Sequence, residues 1–430
     1  MIKIRRFWRV GAAAVLTLST VAASEAQNRP RALEEPPGDT LFLTLAQAQL
    51  HALENNPALL ATRRLREAAE GRLRQARVYR FNPEVTLESE QVGSGRTLRA
   101  YEGEVSQEVE WAGQWGLRKR VAEHGLASTD GTVRDAERLT RAAVAAVFYE
   151  TLGAQNRVAL AEEIRTLNER LAVAVSDLLE AGSISLLEAN LARIESGRAQ
   201  TRVLEERRDA KTALLELRQA LALPDAQPLR LSPDVPIPPE PSGLNLDSLV
   251  RVAIVRRPDL GSAASRIEAG QSLVSLARRG RIPNLRLTVP FDRLEGPGSE
   301  QIGIGVGVSI PLWNRNQGTI AELQADLARA RSERDAVEST VRTEVVDAYQ
   351  RYVSAKEEEQ IAAVSVLQPA RFNQGLLDEA FRSGKIDLAT LLLVRNALLD
   401  AELDYWESWL ELRLELVRLA AVTAEPLPNQ

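Results

Sequence analysis

The amino-acid sequence predicts a mostly α-helical fold with a small β part, in which one structural unit occurs twice in tandem. The first observation is compositional: charged residues make up 26% of the chain and aromatic residues only 4%, which is typical of long packed helices. The second is an internal repeat, and the third is a set of short segments with alternating apolar and polar residues. Each predicted unit runs helix, β-hairpin, long helix and returning helix.

The internal repeat consists of four pairs of motifs that occur in the same order at a nearly constant offset. The paired segments are 43–59 with 244–260, 80–87 with 281–289, 110–116 with 312–318, and 181–193 with 383–395. We therefore expect a first repeat over 27–222 and a second over 244–430. The segment between them, 223–243, is rich in proline, which prevents a helix there and predicts an extended crossover.

The first 26 residues have the pattern of a secretory signal peptide. Four basic residues between positions 3 and 9 precede a short apolar stretch over 11–23 and a run of small residues. This order predicts export and cleavage near Ala23 or Ala26. The apolar stretch is too short to serve as a membrane anchor, so we expect a mature protein without a transmembrane helix.

The composition argues against an enzyme, a metal centre and a nucleic-acid partner. The chain has no cysteine, its two histidines (His51 and His124) lie far apart, and its formal net charge is −5. Metal sites need clustered ligands, and nucleic-acid binders carry basic patches. The sequence also lacks a nucleophile elbow and a phosphate-binding loop. We expect no catalytic residue, no metal ligand and no cofactor.

Each repeat is predicted to contain one very long helix. In the second repeat, apolar residues recur mostly every three or four positions over 320–352, as in helices that pack along their length. The matching stretch of the first repeat covers about 117–180. A helix of roughly 60–65 residues is about 90–100 Å long. Alanines on and beside the apolar stripe favour a barrel of helices, with an ordinary coiled coil as the alternative.

Four segments have the period-two alternation of β-strands. They lie at about 84–92, 101–111, 284–293 and 301–311. In the last, branched apolar residues from Ile302 to Ile310 alternate with Gly303, Gly305 and Gly307. One face of each strand is therefore apolar, and the other is polar or nearly bare.

A soluble β-sandwich would show the same alternation, but two features favour strands in a membrane. The strands have the length of about 9–11 residues that a membrane-spanning strand needs. Aromatic residues also lie near the strand ends, as at membrane interfaces. These residues are Phe81, Trp111 and Trp313 at one level, and Tyr101 and Phe291 towards the other.

Four strands cannot close a barrel, and an open strand edge in lipid leaves backbone groups unpaired at a cost of several kcal/mol each. We therefore expect several chains to pool their hairpins, and three chains would supply twelve strands. The bare face would then line a water-filled lumen with mostly acidic side chains. The predicted acidic residues of the lumen are Glu84, Glu88, Glu90, Glu102, Glu104, Glu108, Glu110 and Asp292.

With these features, the sequence resembles the TolC-like outer-membrane efflux proteins. The resemblance rests on the doubled helix–hairpin–helix unit, on "PLWNRNQG" at 311–318 and on "G-x-I-x-L" turns at 182–186 and 384–388. It covers nearly the whole mature chain and is greatest to the branch that exports heavy-metal cations of the cobalt-zinc-cadmium type. It implies a homotrimer, with a twelve-stranded β-barrel in the outer membrane continued by a twelve-helix α-barrel in the periplasm.

The resemblance also implies partners and a docking site. The partners are outer-membrane lipid, a periplasmic adaptor protein and an inner-membrane, proton-driven pump of the resistance-nodulation-division type. The two helix–helix turns would form periplasmic tips that dock the adaptor and open the duct. These tips comprise Ala181, Gly182, Ser183, Ile184 and Ser185, and Ser383, Gly384, Lys385, Ile386 and Asp387. Leu393 stands where an acidic gate residue is expected, and Glu188 and Asp387 are weaker candidates for that role.

We therefore expect an outer-membrane channel subunit that acts as a passive exit duct in a tripartite system for heavy-metal cations. A drug-efflux or type I secretion channel is the alternative within the same class. A periplasmic coiled-coil adaptor is the alternative from another class. The acidic lumen suggests a preference for cations, against the alternative that any water-filled barrel has a polar lining.

Overall fold

The computed structural model of the chain describes residues 41–92, 98–224, 229–232, 245–294 and 300–424. The predicted signal peptide and most of the predicted crossover lie outside these residues, as do 93–97 and 295–299 in the two hairpin loops. Among the described helices, none is both long enough and apolar enough to cross a membrane.

The described chain is mostly helical with a small β part, which confirms the predicted fold class. The helices are α1 (Leu45–Asn55), α2 (Pro57–Arg77), α3 (Gln114–Glu180), α4 (Leu186–Leu221), α5 (Leu246–Arg256), α6 (Pro258–Arg279), α7 (Gln317–Ile361), α8 (Gln368–Arg382) and α9 (Leu388–Thr423). A π-helical segment, Ala362–Leu367, joins α7 to α8. The strands are β1 (Leu41–Leu43), β2 (Glu84–Val92), β3 (Leu98–Val109), β4 (Leu229–Leu231), β5 (Leu285–Leu294), β6 (Glu300–Ile302) and β7 (Gly305–Val308).

Each repeat begins with two helices separated by a sharp break. Thr44 caps α1 by accepting the backbone N–H of Gln47. Asn56 then ends α1 and caps α2, whose first residue is Pro57. The second repeat uses Pro258 in the same way at the start of α6. Proline suits the first helical position because its missing N–H would have no partner there.

The long helix of the first repeat is continuous, whereas that of the second is not. The helix α3 spans 67 residues, but α7 and α8 are separated by a π-helical turn of six residues. Pro369 follows that turn, and a proline ring clashes with the carbonyl four residues earlier in an α-helix. The wider π-turn avoids this clash, and the Gln368 N–H donates to the Ala363 carbonyl instead. The uninterrupted helix predicted for this repeat is therefore wrong at one point.

The hydrophobic core is divided into clusters along the helices. Val144, Phe148 and Leu217 belong to one cluster, which the parallel pair of β1 and β4 completes. An equivalent cluster of the second repeat contains Val345 and Tyr352. A third cluster packs α3, α4, α8 and α9 together next to the two helix–helix turns. Because each cluster takes side chains from several helices, the helices hold one another in register.

The hairpins of the two repeats form one antiparallel sheet. The strand order is β2, β3, β5, and then both β6 and β7, which pair with β5 in one continuous register. The strand expected over 301–311 is therefore broken in two. Pro290 explains the break: the Gly303 N–H donates to its carbonyl at 3.0 Å, but proline has no N–H to complete the pair.

Candidate functional site

The apolar side chains of the sheet lie on one face, and this face is uncovered. The register sets Val85 opposite Val105 and Val105 opposite Val289, and residues that are opposite one another share a face. Ile302 and Ile304 are 80% and 87% exposed. Soluble monomers rarely expose a continuous apolar area of this kind, so the face needs an apolar environment.

The opposite face explains the alternating glycines. Gly305 lies opposite Thr288, and a Cβ at Gly305 would lie 2.4 Å from the Thr288 Oγ1 atom. Any larger side chain would therefore collide with its cross-strand neighbour. Gly303 and Gly307 lie opposite Pro290 and Arg286 and leave the same face of β6 and β7 nearly bare.

The register brings three of the predicted acidic residues into one row across the sheet. Glu88 lies opposite Glu102, Glu102 opposite Asp292, and Asp292 opposite Gln301. All three acidic side chains are exposed. Like charges placed directly opposite one another repel, so this row carries a concentrated negative field.

The other predicted acidic residues have different surroundings. Glu84 and Glu104 lie in neighbouring rows of the same face. Glu108 lies opposite Arg286 and accepts a hydrogen bond of 2.6 Å from the Asn284 amide. Glu110 is only 4% exposed and forms a salt bridge with Arg118, so its charge is compensated. The Glu90 side chain lies outside the described part of the chain.

One contact on the apolar face was missed in the sequence. The Phe291 ring lies across Gly103, where a Cβ would be 2.0 Å from the Phe291 Cε1 atom. Gly103 has no side chain to cover its backbone, and the Phe291 ring covers it instead, as aromatic rings do beside glycines in other antiparallel sheets. In the sequence, the feature that indicates this contact is a single glycine between Tyr101 and Val105, on the apolar side of an otherwise regular strand.

The predicted interface aromatics lie at the two ends of the sheet. Trp111 and Trp313 follow β3 and β7 at the helical end, and Trp313 is 86% exposed. The Trp111 Nε1 donates to the Pro283 carbonyl at 2.9 Å. Tyr101 and Phe291 lie near the hairpin loops. Trp115 is a further aromatic at the helical end that sequence reasoning did not include; its Nε1 donates to the backbone of the preceding helix.

The two aromatic levels have the separation of a lipid bilayer. Trp111 lies ten positions after Tyr101, which corresponds to about 33 Å of extended strand. A tilt of about 45° reduces this to about 23 Å along the barrel axis, close to the apolar band of about 25 Å in outer-membrane barrels. The sheet therefore has the dimensions of a transmembrane wall segment.

The two helix–helix turns have the same backbone geometry. Gly182 and Gly384 have φ values of +70° and +72°, which glycine adopts at little cost. The N–H of Ser183 donates to the Leu178 carbonyl, and that of Lys385 to the Ala380 carbonyl, both at 2.9 Å. These six-residue loops are Schellman motifs, which satisfy the last carbonyls of a helix.

An acidic side chain stabilises the start of each returning helix. Ser185 and Glu188 form a reciprocal capping box at the start of α4. Asp387 caps α9 by accepting the Thr390 N–H at 2.8 Å. The hydrogen bonds from Ser185 lower the pKa of Glu188, and those from Thr390 lower the pKa of Asp387. Both candidate gate acids therefore already serve as helix caps.

The tips combine a half-buried apolar anchor with an exposed rim. Ile184 and Ile386 pack against the third core cluster, which fixes the two turns side by side. Ala181, Gly182, Ser183, Ser185, Ser383, Gly384, Lys385 and Asp387 are exposed. Leu187, just beyond the first tip, is 79% exposed, and Leu393 is 72% exposed. The rim therefore offers polar backbone and apolar side chains for contact.

The fold and the site define a class of protein in which two long helical hairpins carry a small sheet, with an apolar face whose span is close to the apolar thickness of a membrane. The chain belongs to the outer membrane efflux protein family, whose model matches residues 50–223 and 249–425. This membership excludes the alternative of a periplasmic adaptor and indicates a transport duct rather than an enzyme.

Two curated relatives are proteins of metal resistance. The chain is 26% identical to the cobalt-zinc-cadmium resistance protein CzcC of Cupriavidus metallidurans, over 84% of this chain and 85% of the relative. It is 28% identical to the nickel-cobalt-cadmium resistance protein NccC of Alcaligenes xylosoxydans xylosoxydans, over 71% of this chain and 68% of the relative.

Solved structures with the same fold include several membrane channels. A membrane protein from Pseudomonas aeruginosa superposes with a TM-score of 0.74 at 21% identity, covering 88% of this chain and 92% of the other. CusC superposes with a TM-score of 0.73 at 17% identity, covering 91% and 95%. The outer membrane channel CmeC of Campylobacter jejuni has a TM-score of 0.74 at 15% identity, covering 89% and 85%.

Proposed function

We propose that three copies of this chain form an outer-membrane channel that serves as a passive exit duct in a tripartite efflux system for heavy-metal cations. The hairpins of the three chains would close a twelve-stranded β-barrel. The long helices would continue it as a twelve-helix barrel into the periplasm. A periplasmic adaptor and an inner-membrane, proton-driven pump would deliver the cargo.

The observation that carries the proposal is a sheet with an exposed apolar face and two free edges. Within the described residues, β2 has no neighbour beyond β3, and β6 and β7 have none beyond β5. In lipid, each unpaired backbone group costs several kcal/mol, so the edges need partners. Edge-to-edge pairing of three sheets satisfies all of them, with the apolar faces towards lipid and the acidic rows towards the lumen.

A cationic cargo is supported by the charge of the bare face and by the relatives. Glu88, Glu102 and Asp292 form an acidic row, and three chains would turn it into a ring. A ring of carboxylates raises the local concentration of cations and opposes anions. The names of both curated relatives refer to resistance to cobalt and cadmium, together with zinc in one and nickel in the other. We propose this substrate class over drugs or secreted proteins for these two reasons.

Single-channel recording of the purified protein in a planar bilayer tests the duct and its charge preference. We expect stable conductance from a trimer and a reversal potential in a KCl gradient that indicates preference for K⁺. The triple variant Glu88→Gln, Glu102→Gln, Asp292→Asn should lose much of this preference. Glu54→Gln, an exposed change on α1, should leave it unchanged. A water-soluble monomer without conductance would overturn the duct, and an anion preference would overturn only the charge argument.

A deletion strain tests the cargo. We expect loss of the gene to sensitise the host to cobalt, zinc or cadmium salts, and plasmid-borne protein to restore resistance. Sensitivity to drugs without sensitivity to metals would favour the drug-efflux alternative. The same strain permits fractionation, in which the mature protein should be found in the outer membrane after removal of the predicted signal peptide.

The tips are the proposed adaptor-docking surface, supported by their identical geometry and exposed rim. Because the chain has no cysteine, single cysteines at Ser183 and Lys385 can carry photo-crosslinkers in cells that contain the pump and the adaptor. We expect crosslinks to the adaptor from both positions and none from Arg72→Cys, which lies on α2. Crosslinks from Arg72 alone would place docking elsewhere.

A further inference from the structure

An arginine-lined cleft lies between the two repeats, away from both the sheet and the tips. Its volume is about 290 Å³, and it is bounded by α1, α3, the break between α5 and α6, and the end of α9. Four arginines line it, namely Arg134, Arg138, Arg141 and Arg256, and its only acidic lining residue is Glu137. This accumulation of positive charge stands out in a protein whose net charge is −5.

Three of these arginines form a stripe on one helix. Arg134, Arg138 and Arg141 are spaced by four and three residues along α3, so they share one face of the helix. Like charges at these spacings destabilise a helix. The three arginines therefore lower the stability of α3, so their presence cannot be attributed to helix stability.

The cost is only partly offset by neighbouring acids. Arg138 donates to Asp135 at 2.7 Å and also to the Ala421 carbonyl at the end of α9. Its side chain is 13% exposed, so it forms a fixed base to the cleft. The carboxylate of Glu137 is engaged by Arg63 at 2.7 Å. Asp259 and Glu344, which lie nearby, both pair with Arg257.

Two guanidinium groups remain without compensation. Within the described part of the chain, the Arg134 and Arg141 side chains have no hydrogen-bond or ion-pair partner. Both residues are exposed and lie on either side of the fixed Arg138. They are therefore available to an external anion.

The second repeat has uncharged residues at the matching positions. The offset of 202 that pairs 110–116 with 312–318 and 181–193 with 383–395 places Ala336, Thr340 and Thr343 where the first repeat has Arg134, Arg138 and Arg141. All three lie within α7. The corresponding long helix therefore forms without arginine at these positions, and the arginines of α3 need another explanation.

We propose that this cleft binds an oxyanion, a carboxylate or a phosphate group of a small ligand or a segment of another molecule. Arg134 and Arg141 would contact the anion, with Arg138 behind them and Arg256 on the opposite wall. Arginine suits this role because its planar guanidinium donates two parallel hydrogen bonds to either group. The cleft volume, near the lower end of known ligand pockets, limits the bound part to a few heavy atoms beyond the oxyanion. This binding is independent of conduction through the duct.

Calorimetric titration of the purified full chain in detergent tests the proposal, with inorganic phosphate and a tri-aspartate peptide as the two probes. We expect at least one probe to bind with one site per chain, and binding to weaken when KCl is raised. The double variant Arg134→Gln, Arg141→Gln should weaken it at least tenfold. Arg72→Gln, an exposed arginine on α2 and far from the cleft, should leave it unchanged.

The two probes separate the possible sources of the oxyanion. Binding of phosphate alone supports a phosphorylated ligand, and binding of the peptide alone supports a carboxylate ligand. The proposal is overturned if neither probe binds, or if the double variant binds as tightly as the original chain. Because both substituted side chains are exposed, we expect the variant to fold, and the two single variants provide a second series with smaller changes.

Discussion

The two helical hairpins have tips of the same backbone geometry but different long helices. In both, a glycine with positive φ reverses the chain, and the returning helix has 36 residues. The first long helix is continuous over 67 residues. The second is interrupted by the π-helical segment Ala362–Leu367. The two hairpins thus have equivalent turns and returning helices, but their long helices differ in continuity.

The π-helical segment lies near polar side chains that are buried in the core. Near it, Asn168 and Arg395 are buried among the apolar residues, and Arg371 of α8 forms a salt bridge with Glu402 of α9 at 3.0 Å. Kinks in long helices occur at proline and at π-turns, and the second hairpin has both at one point. We therefore expect the second hairpin to bend more easily than the first. This difference predicts unequal responses to matched changes.

The largest effect is expected from a proline introduced into the continuous helix. Leu167 lies as far before Gly182 as Pro369 lies before Gly384. Leu167→Pro should lower the free energy of unfolding by about 3 kcal/mol or more, because α3 has no π-turn to accommodate the ring. Thermal unfolding with circular dichroism measures the loss, and Leu167→Ala controls for the missing side chain. If Leu167→Pro were as stable as Leu167→Ala, the two long helices would not differ in their tolerance of proline.

Smaller and equal losses are expected at the two tips. Gly182→Ala and Gly384→Ala force a residue with a Cβ into the left-handed region, which costs about 1–2 kcal/mol. No atom lies within 4 Å of a Cβ built at either position, so the cost is one of backbone conformation alone. Denaturant unfolding should give the same loss for both variants. Clearly unequal losses would mean that the tips are not equivalent.

The helix caps at the tips should respond to substitution and to pH. Ser185→Ala removes the capping box and should cost about 1 kcal/mol, whereas Ser183→Ala, at an exposed tip position, serves as the control. The pKa of Glu188 and that of Asp387 are lowered from ordinary values of 4.5 and 3.8 by hydrogen bonds. Their stabilising contribution is therefore present above those values and is lost as the pH falls below them. Melting temperatures measured from pH 7 to pH 3 should decrease, and Asp387→Ala should flatten part of that decrease; an unchanged profile would rule out this role of the cap.

The smallest effect is expected from removing the natural proline. Pro369→Ala restores one backbone donor, worth about 1 kcal/mol, but also frees the unfolded chain. The net change in stability should be below about 1 kcal/mol. Hydrogen exchange should nevertheless slow over 362–373, because the helix can close its α-helical ladder. Pro258→Ala, at the first position of α6, is the control and should not slow exchange there. Equal exchange in Pro369→Ala and the original chain would mean that Pro369 does not cause the π-turn.

Local patterns in the sequence predict much of this architecture. The alternation in 301–311 predicts the apolar face, and the paired glycines predict both tips. The break of that strand opposite Pro290 was not predicted. It depends on the pairing of Pro290 with Gly303 across two strands, which the sequence alone does not reveal. The π-turn was not predicted either, since it arises from a clash with a backbone carbonyl. The salt bridge of Glu110 with Arg118 and the cleft of Arg134 and Arg138 depend on pairings across elements that spacing along the chain does not reveal.

The central claim is that the apolar face of the sheet contacts lipid and the bare face contacts water. Because the natural chain has no cysteine, spin labels can be attached to single cysteines at 301, 302, 306, 307, 308 and 309 in the protein reconstituted in bilayers. Oxygen should reach labels at Ile302, Val306 and Val308 preferentially, and a water-soluble nickel complex should reach those at Gln301, Gly307 and Ser309. A period of two in this accessibility is the predicted result. Equal access of the nickel complex to both sets would contradict the account.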